Sequence, residues 1–392
     1  MDVAAIRAEM LIERGWIHFD NAGASPCSNI VHETLVNHLD LERRIGGYAA
    51  KQRVEAELAA MYSNLASLLG CDASEIAFAE NATRAWDMLA YSLPLASGDR
   101  ILTGNSEYVS NYLAFLQLRK RTGVRVEIVP DDDSGEISLA ELRNRIDDDV
   151  KLIAITHIAT SSGGIAPAAE IGSIANSANI PYLLDACQSV GQVDIDVGAT
   201  GCDMLTGAGR KFLRGPRGTG FLYIRRELAE RLEPVFVDLG SADWSAVNEY
   251  RLKPGAQRFE TWESCIAGRL GLSAAVDYAL SVGVGNIERR VRSLANSLRD
   301  ALVRIEGVNI LDAGRNLSGI VAFQCRSVSS FDLKRELEKR GAAISAIATA
   351  DARLDLQRRA VPDVARASVH YFNTGDEIRR FADLVADIIH GD

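Results

Sequence analysis

The segment TGAGRKFLRGPRGTGFLYI, residues 206–224, holds a single lysine, Lys211, among Arg210, Arg214 and Arg217. Glycines stand at 207, 209, 215, 218 and 220, and the segment runs on into the apolar residues of a strand. Glycines expose backbone N–H groups and let a ligand approach closely. Arginines beside such a turn suit an anion, above all a phosphate. The lysine amine can serve as one more anion ligand, or it can do covalent chemistry. Ahead of it in the chain, Asp185 closes the apolar run IPYLLD, and Gln188 follows three residues later.

Nucleotide-type phosphate chemistry is excluded by pattern. The chain has no G-x-x-x-x-G-K-[ST], and no G-x-G-x-x-G lies between the first strand and its helix. Pyridoxal phosphate requires a different arrangement: a lysine at one strand end and an acid at the end of an earlier strand. The amine forms a Schiff base with the aldehyde. The carboxylate keeps the pyridine nitrogen protonated, so that the ring draws electrons from the substrate α-carbon. At ~4 Å and an effective dielectric of 20 that ion pair contributes about 4 kcal/mol, or roughly three pKa units. Lys211 and Asp185 fit these two roles.

Strands that end together are needed to position such a pair. From residue 70 onward, short apolar runs alternate with helical patterns. EIAFAE, DRILTG, VRVEIVP, VKLIAITHI, IPYLLDA, CDMLTG and TGFLYIR read as strands. Helical patterns cover Thr83 to Leu95, VSNYLAFLQLRKRTG, SLAELRNRI and residues 168–178. This order predicts an α/β fold, with a mainly parallel sheet covered by helices on both faces. After residue 265 the pattern changes to a long helical region over 265–305, then shorter strands and helices ending in GDEIRRFADLVADII. A large domain over residues 15–265 and a smaller α+β domain over 266–392 are expected, with residues 1–14 packing on the smaller one.

Composition narrows the class. The 392 residues carry 43 Lys and Arg against 53 Asp and Glu, a net charge of −10. An acidic surface argues against nucleic-acid and anionic-membrane binding. A bound phosphate therefore needs a local cationic pocket. No apolar run approaches the ~20 residues that span a bilayer, and Asp2, Glu9 and Glu13 interrupt the start, so a cytoplasmic protein is expected. The six cysteines lie far apart with no C-x-x-C pair, so neither a zinc site nor a disulfide framework is indicated.

Three motifs in order give a more specific indication. LLDACQSVGQVDIDV, then CDMLTGAGRKFLRGPRGTGFLYI, then ARASVHYFNTGDEI resemble the class V aminotransferase and cysteine desulfurase group of fold-type I pyridoxal-phosphate enzymes. The resemblance covers nearly the whole chain. It implies that Lys211 forms the Schiff base, that Asp185 partners the pyridine nitrogen and that Gln188 reaches the phenolic oxygen. By the same resemblance Ala82 and Thr83, in ENATRAW, hold the phosphate, and Arg210 replaces a histidine that many relatives use there. Tyr108, in NSEYVSN, takes the place of an imidazole stacked on the ring. Arg366 clamps the substrate carboxylate. Thr160 stands where many relatives carry an asparagine, and Glu263 where some carry a phosphate-binding threonine from a partner subunit. Glu263 is expected to lie in a displaced loop or to meet a basic group such as Arg210.

The resemblance further implies an amino-acid substrate and a homodimer with a shared active site. FDNAGASP, GGYAA and RFETWES are expected to line it, the last reaching across the interface. His157 reads as a satisfied strand histidine. Arg214 and Arg217 read as solvent-facing or in contact with the second subunit. A desulfurase of this group carries a cysteine on a loop about fifteen residues before the carboxylate-binding arginine, and the matching stretch AISAIATADARLDLQRRAVPDVAR has none. RRIGGYAA and RKFLRGPRG look most like the branch of ergothioneine-pathway C–S lyases and isopenicillin N epimerase-like proteins. β-Elimination ranks first, followed by transamination and epimerisation.

The purified protein should be yellow, and Lys211→Ala should remove the visible absorption band of the Schiff base together with turnover. An unchanged spectrum and rate in that variant would exclude Lys211 from this role.

Overall fold

A computed structural model describes residues 1–391. Its main sheet has seven strands: β1 Ile76–Ala79, β2 Arg100–Gly104, β3 Arg125–Val129, β4 Val150–Thr156, β5 Tyr182–Asp185, β6 Met204–Ala208 and β7 Gly220–Ile224. Their spatial order is β1-β7-β6-β5-β4-β2-β3. The pairs β2–β3, β2–β4, β4–β5 and β5–β6 are parallel, whereas β7 runs antiparallel to both of its neighbours. Successive residues of the central strands enter opposite cores. Leu184, Leu205 and Phe221 pack on one face, and Leu183, Met204 and Leu222 on the other. That two-sided burial is why these strands are nearly continuous in apolar residues.

Parallel strands place their C-terminal ends on one edge. Gly104, Thr156, Asp185 and Ala208 therefore end together, and Asp185 sits in register with Thr156 on one side and Thr206 on the other. Gly220 opens β7 at the same edge, opposite Ala208 and Ala79. A Cβ on Gly220 would lie 2.8 Å from the nitrogen of Ala82. The missing side chain is what lets the helix Ala82–Ser92 begin directly against the strand ends.

A second sheet holds β8 Val308–Ile310, β9 Ile320–Cys325, β10 Ser345–Ala348 and β11 Asp363–Ser368 in the antiparallel order β8-β9-β11-β10. Its core draws on the helices Val284–Leu302, Ser330–Lys339 and Gly375–His390.

Packing apportions the chain differently from the expected division at 265/266. The helix Ile266–Val282 is apolar on most of its surface, and Leu272, Val276 and Ala279 lie in the core of the large sheet. Near the other end of the chain, Ile17 and Phe19 lie in the core of the small sheet, and Ile17–His18 pairs in parallel with Ala342–Ala343. Residues 1–14 do not pack on the small part alone. Ile6 and Met10 join the large core, while Arg7 donates to the carbonyl of Phe372 at 2.9 Å. The long helical region expected over 265–305 is two helices bent by 79° at Gly283. Residues 29–69, where the pattern showed no alternation, form the helices Asn29–Ile45, Gly47–Gln52 and Glu55–Leu69. An exposed hairpin, Ala242–Ala246 with Glu249–Leu252, carries Trp244, Val247 and Tyr250 outward.

One backbone contact locks the two chemistry-bearing segments together. Gly191, at φ +90°, closes the turn after Asp185, and a Cβ there would lie 2.4 Å from the carbonyl carbon of Phe212. Gly191→Ala should therefore push the Lys211 turn away from β5 and destabilise the fold by at least about 1–3 kcal/mol. A urea midpoint equal to that of the parent protein would contradict this close packing.

Candidate active site

Lys211 and Asp185 are both buried, 8 % and 4 % exposed. The Lys211 Nζ lies 5.7 Å from the centre of the Tyr108 ring. Burial holds its ammonium below the ordinary lysine value, and the nearby Cys187 and Asp185 oppose that shift. A lysine that loses its proton more readily than usual is a better nucleophile and proton carrier. Asp185 Oδ1 accepts from the Cys187 N–H at 2.9 Å, and Oδ2 accepts from Asn111 Nδ2 at 2.8 Å. Those bonds fix the carboxylate at the edge where β5 ends.

Arg366, on β11, comes from the other sheet and is 6 % exposed. Its Nη1 donates to Thr160 Oγ1 at 3.0 Å, and its Nη2 to Ser345 Oγ at 3.0 Å and Asp20 Oδ1 at 3.3 Å. Nε is buried without a partner. Burial lowers the guanidinium from its ordinary value, and the charge of Asp20 counteracts this. Thr160 also accepts from Gln188 Nε2 at 3.1 Å, so it joins the predicted cofactor side to the predicted carboxylate side. The other Gln188 bond runs to the Ala22 carbonyl at 3.1 Å, leaving Oε1 buried and unpartnered. To donate to a phenolic oxygen, the amide must release either Thr160 or the Ala22 carbonyl.

At the phosphate end, Ala82 and Thr83 open the helix Ala82–Ser92, ahead of its first backbone bond, from Ala85 N to Asn81 O. Asn81 caps the helix by accepting from Arg84 N at 3.0 Å. The early N–H groups of such a helix suit an anion. Arg210 is half-buried beside Lys211, and its carbonyl accepts from Ser25 N at 2.9 Å. Glu263 is exposed and makes no ion pair with Arg210 within the described chain. GGYAA and RFETWES share a cavity of about 430 Å³ lined by Tyr48, Lys51, Trp262 and Glu263. FDNAGASP lies elsewhere, with Asp20 at Arg366 and Ala22 at Gln188.

Two expectations require correction. Arg214 is buried rather than solvent-facing. It donates to the Pro26 carbonyl at 3.0 Å and to Tyr371 Oη at 2.6 Å, and its guanidinium lies over the rings of Tyr278, Tyr371 and Phe372. Stacking and neutral acceptors replace the water it gives up. Arg217 is exposed. His157 is not a satisfied histidine: its Nδ1 is buried without a partner. Burial pushes its pKa down to about 4 against the opposing charge of Asp185, so it is neutral near pH 7.

Sequence reasoning missed Glu107 and Asn111. Glu107 is buried and accepts from Thr103 Oγ1, Thr156 Oγ1, Asn111 Nδ2 and Tyr108 N at 2.7–2.9 Å. The signal was available: an acid and an amide four residues apart, flanking a predicted helix start, face the same side. Asp20 lies within FDNAGASP, which was expected to line the site, whereas Ser345 carried no comparable signal.

These side chains can supply an amine nucleophile, a fixed carboxylate, a buried arginine and a helix N-terminus to one ligand. The Aminotransferase class-V family matches residues 17–381, and the chain belongs to that family. A probable cysteine desulfurase of Xylella fastidiosa (strain Temecula1 / ATCC 700964) is 32% identical over 93% of this chain and 89% of its own length. One from Methanothermobacter thermautotrophicus is 28% identical, over 98% of this chain and 97% of its own. The apo cysteine desulfurase of Thermococcus onnurineus NA1 superposes with a TM-score of 0.92 at 26% identity, covering 99% of this chain and 98% of that one. The fold is thus that of the fold-type I pyridoxal-phosphate enzymes.

The cofactor is pyridoxal 5′-phosphate; C-DES, a neighbour of the same fold, has been solved with glycine covalently linked to it. The residues present fit that group. The buried polar atoms left without partners include Gln188 Oε1, Thr206 Oγ1 and Arg366 Nε, all around Lys211 and Asp185 in the fold.

Burial, reinforced by the charge of Asp185, pushes Glu107 from its ordinary 4.5 up to about 7. Its contribution to stability is thus complete below about pH 4.5 and is lost as pH rises through about 7. Urea midpoints across pH 4.5–8 should show that loss in the parent protein, and Glu107→Gln should lack it. Parallel curves for the two proteins would refute the assignment.

Proposed function

We propose that this chain is a pyridoxal-phosphate-dependent lyase that eliminates a β-substituent, a sulfur group above all, from an amino acid. The carrying observation is the segment before Arg366. Where a desulfurase has a loop cysteine, residues 341–366 hold no thiol, and the helix Arg353–Arg358 is held down instead. Its Asp355 is buried and accepts from Ser161 Oγ at 2.7 Å, and Arg358 pairs with Asp131 at 2.6 Å. Two of the other thiols, Cys187 and Cys325, are poor sulfur acceptors. Burial and then the charge of Asp185 push Cys187 well up, and burial raises Cys325 to about 12. A neutral thiol is not the nucleophile that sulfur transfer needs.

In this reading Ala82, Thr83 and Arg210 would hold the phosphate, Tyr108 and Gln188 would bind the ring, and Asp185 would keep its nitrogen protonated. The bound cofactor supplies the electron sink. Arg366 would grip the substrate carboxylate and so orient the α-carbon for deprotonation. Lys211 accepts the α-proton as the C–H bond breaks. The β-substituent departs with the electron pair of its bond to carbon, and Lys211 is placed to protonate it. Hydrolysis of the remaining three-carbon enamine gives pyruvate and ammonia. We further propose a homodimer, with RFETWES at a shared site. The exposed Trp244, Val247, Tyr250 and Trp262 supply an apolar face for a second copy.

The names of the relatives favour a second reading, cysteine desulfuration. One experiment separates the two. Alkylation of the free cysteines, or replacement of the exposed Cys265 by Ala, should leave α-proton exchange and pyruvate formation largely intact. A stoichiometric protein persulfide from free cysteine, lost on mutating one cysteine, would establish desulfuration instead. On either reading, Arg366→Ala should lower kcat/KM for amino acids by the equivalent of about 3 kcal/mol or more, since a charge-assisted pair is lost.

A further inference from the structure

Asp185 is held by a partner that is itself held. Asn111 lies on the first turn of the helix Val109–Thr122, and its Nδ2 donates to Asp185 Oδ2 and to Glu107 Oε1, each at 2.8 Å. One NH₂ group has two protons, and two carboxyl oxygens take both. The orientation of the amide is thereby forced, because the reverse would set its oxygen against both carboxyls. Glu107 is anchored in turn by Thr103 Oγ1 on β2 and Thr156 Oγ1 on β4. The same Oε1 accepts the N–H of Tyr108, the residue whose ring faces Lys211. Glu107, Asn111, Thr103, Thr156 and Asp185 are all buried.

We propose that Glu107 and Asn111 are positioning residues for the reaction: Asn111 orients the Asp185 carboxylate, and Glu107 fixes both the Asn111 amide and the backbone that carries the Tyr108 ring. The inference rests on the reading of Asp185 as the partner of the ring nitrogen. Neither residue touches substrate; both act through Asp185 and Tyr108. The titration of Glu107 across the neutral range adds a pH signature to this geometry. The titratable groups around it are Asp185 beyond Asn111, and Asp131 and Glu136, which line a cavity of about 30 Å³ beside it. Glu136 is paired with Arg315 and Asp131 with Arg358. Lys211 lies across the Tyr108 ring.

The test uses the holoenzyme and five proteins: parent, Asp185→Ala, Asn111→Ala, Glu107→Ala and Glu107→Gln. Asn111→Ala and Glu107→Ala should each lower kcat about tenfold or more, the effect of losing a hydrogen bond to a charged group. KM for the amino acid should stay within about twofold, because Arg366 is untouched. Glu107→Gln can accept from Asn111, Thr156 and Tyr108 while donating to Thr103, so it should restore most of the lost kcat. It should also flatten the pH dependence of the cofactor's visible absorbance between pH 6 and 8. Equal damage from Glu107→Ala and Glu107→Gln, or an unaltered kcat and absorbance profile in Asn111→Ala while Asp185→Ala is inactive, would overturn the positioning role alone. Near-normal turnover in Asp185→Ala would instead overturn the reading of Asp185 on which the inference rests. Should Asn111→Ala fail to fold, the comparison of Glu107→Gln with the parent protein still decides the matter.

Discussion

Two opposite charges with almost no access to water are the constraint on which this structure turns. An ammonium and a carboxylate removed from solvent need fixed dipoles in its place. Asp185 finds them in a backbone N–H from its own turn and an amide from a helix that follows a different strand. Lys211 faces the ring of Tyr108. All of these groups meet only because β2, β4, β5 and β6 run in parallel and release their loops at one edge. The local architecture of that edge follows: glycines where backbone must touch backbone, and short polar side chains in register beneath the reacting groups.

The site is also divided between two bodies. The lysine and its carboxylate belong to the large sheet, whereas Arg366 belongs to the small one. Thr160 is the only described residue that bonds to both Gln188 and Arg366, so it couples the ring side to the carboxylate side. The segment from Ile17 to Ala24 reinforces that seam. It pairs with Ala342–Ala343 at Ile17–His18, meets Arg366 through Asp20 and leads to Ser25, whose N–H donates to the carbonyl of Arg210. The position of the Arg366 guanidinium therefore depends on packing between elements hundreds of residues apart.

That separation explains what could be read from the sequence. Strand ends with a charged residue are local patterns, so Asp185, Gln188 and Lys211 were legible as candidates, and so was the alternation of strands and helices after residue 70. The three motifs extended this to Arg366. The contacts of Arg366 were not legible, because Asp20 lies 346 residues away and no periodicity links them. Arg214 was misread for a different reason. Charged side chains usually face water, and nothing nearby in the chain announces the aromatic cage of Tyr278, Tyr371 and Phe372. The helix Ile266–Val282 was assigned to the wrong body because its composition, apolar nearly all round, does not say which core it fills.

Asp20 gives the carboxylate seat a property of its own. Arg366 already holds a carboxylate that is tethered to the chain, so an incoming acid arrives by exchange rather than by filling a bare positive hole. Exchange limits how tightly any acid can be retained, because the tethered group competes at a constant local concentration. On the proposed role of Arg366, a departing acid product would hand the arginine back to Asp20. The seat would thus reset itself after each turnover, and the protein would resist being clogged by carboxylate products.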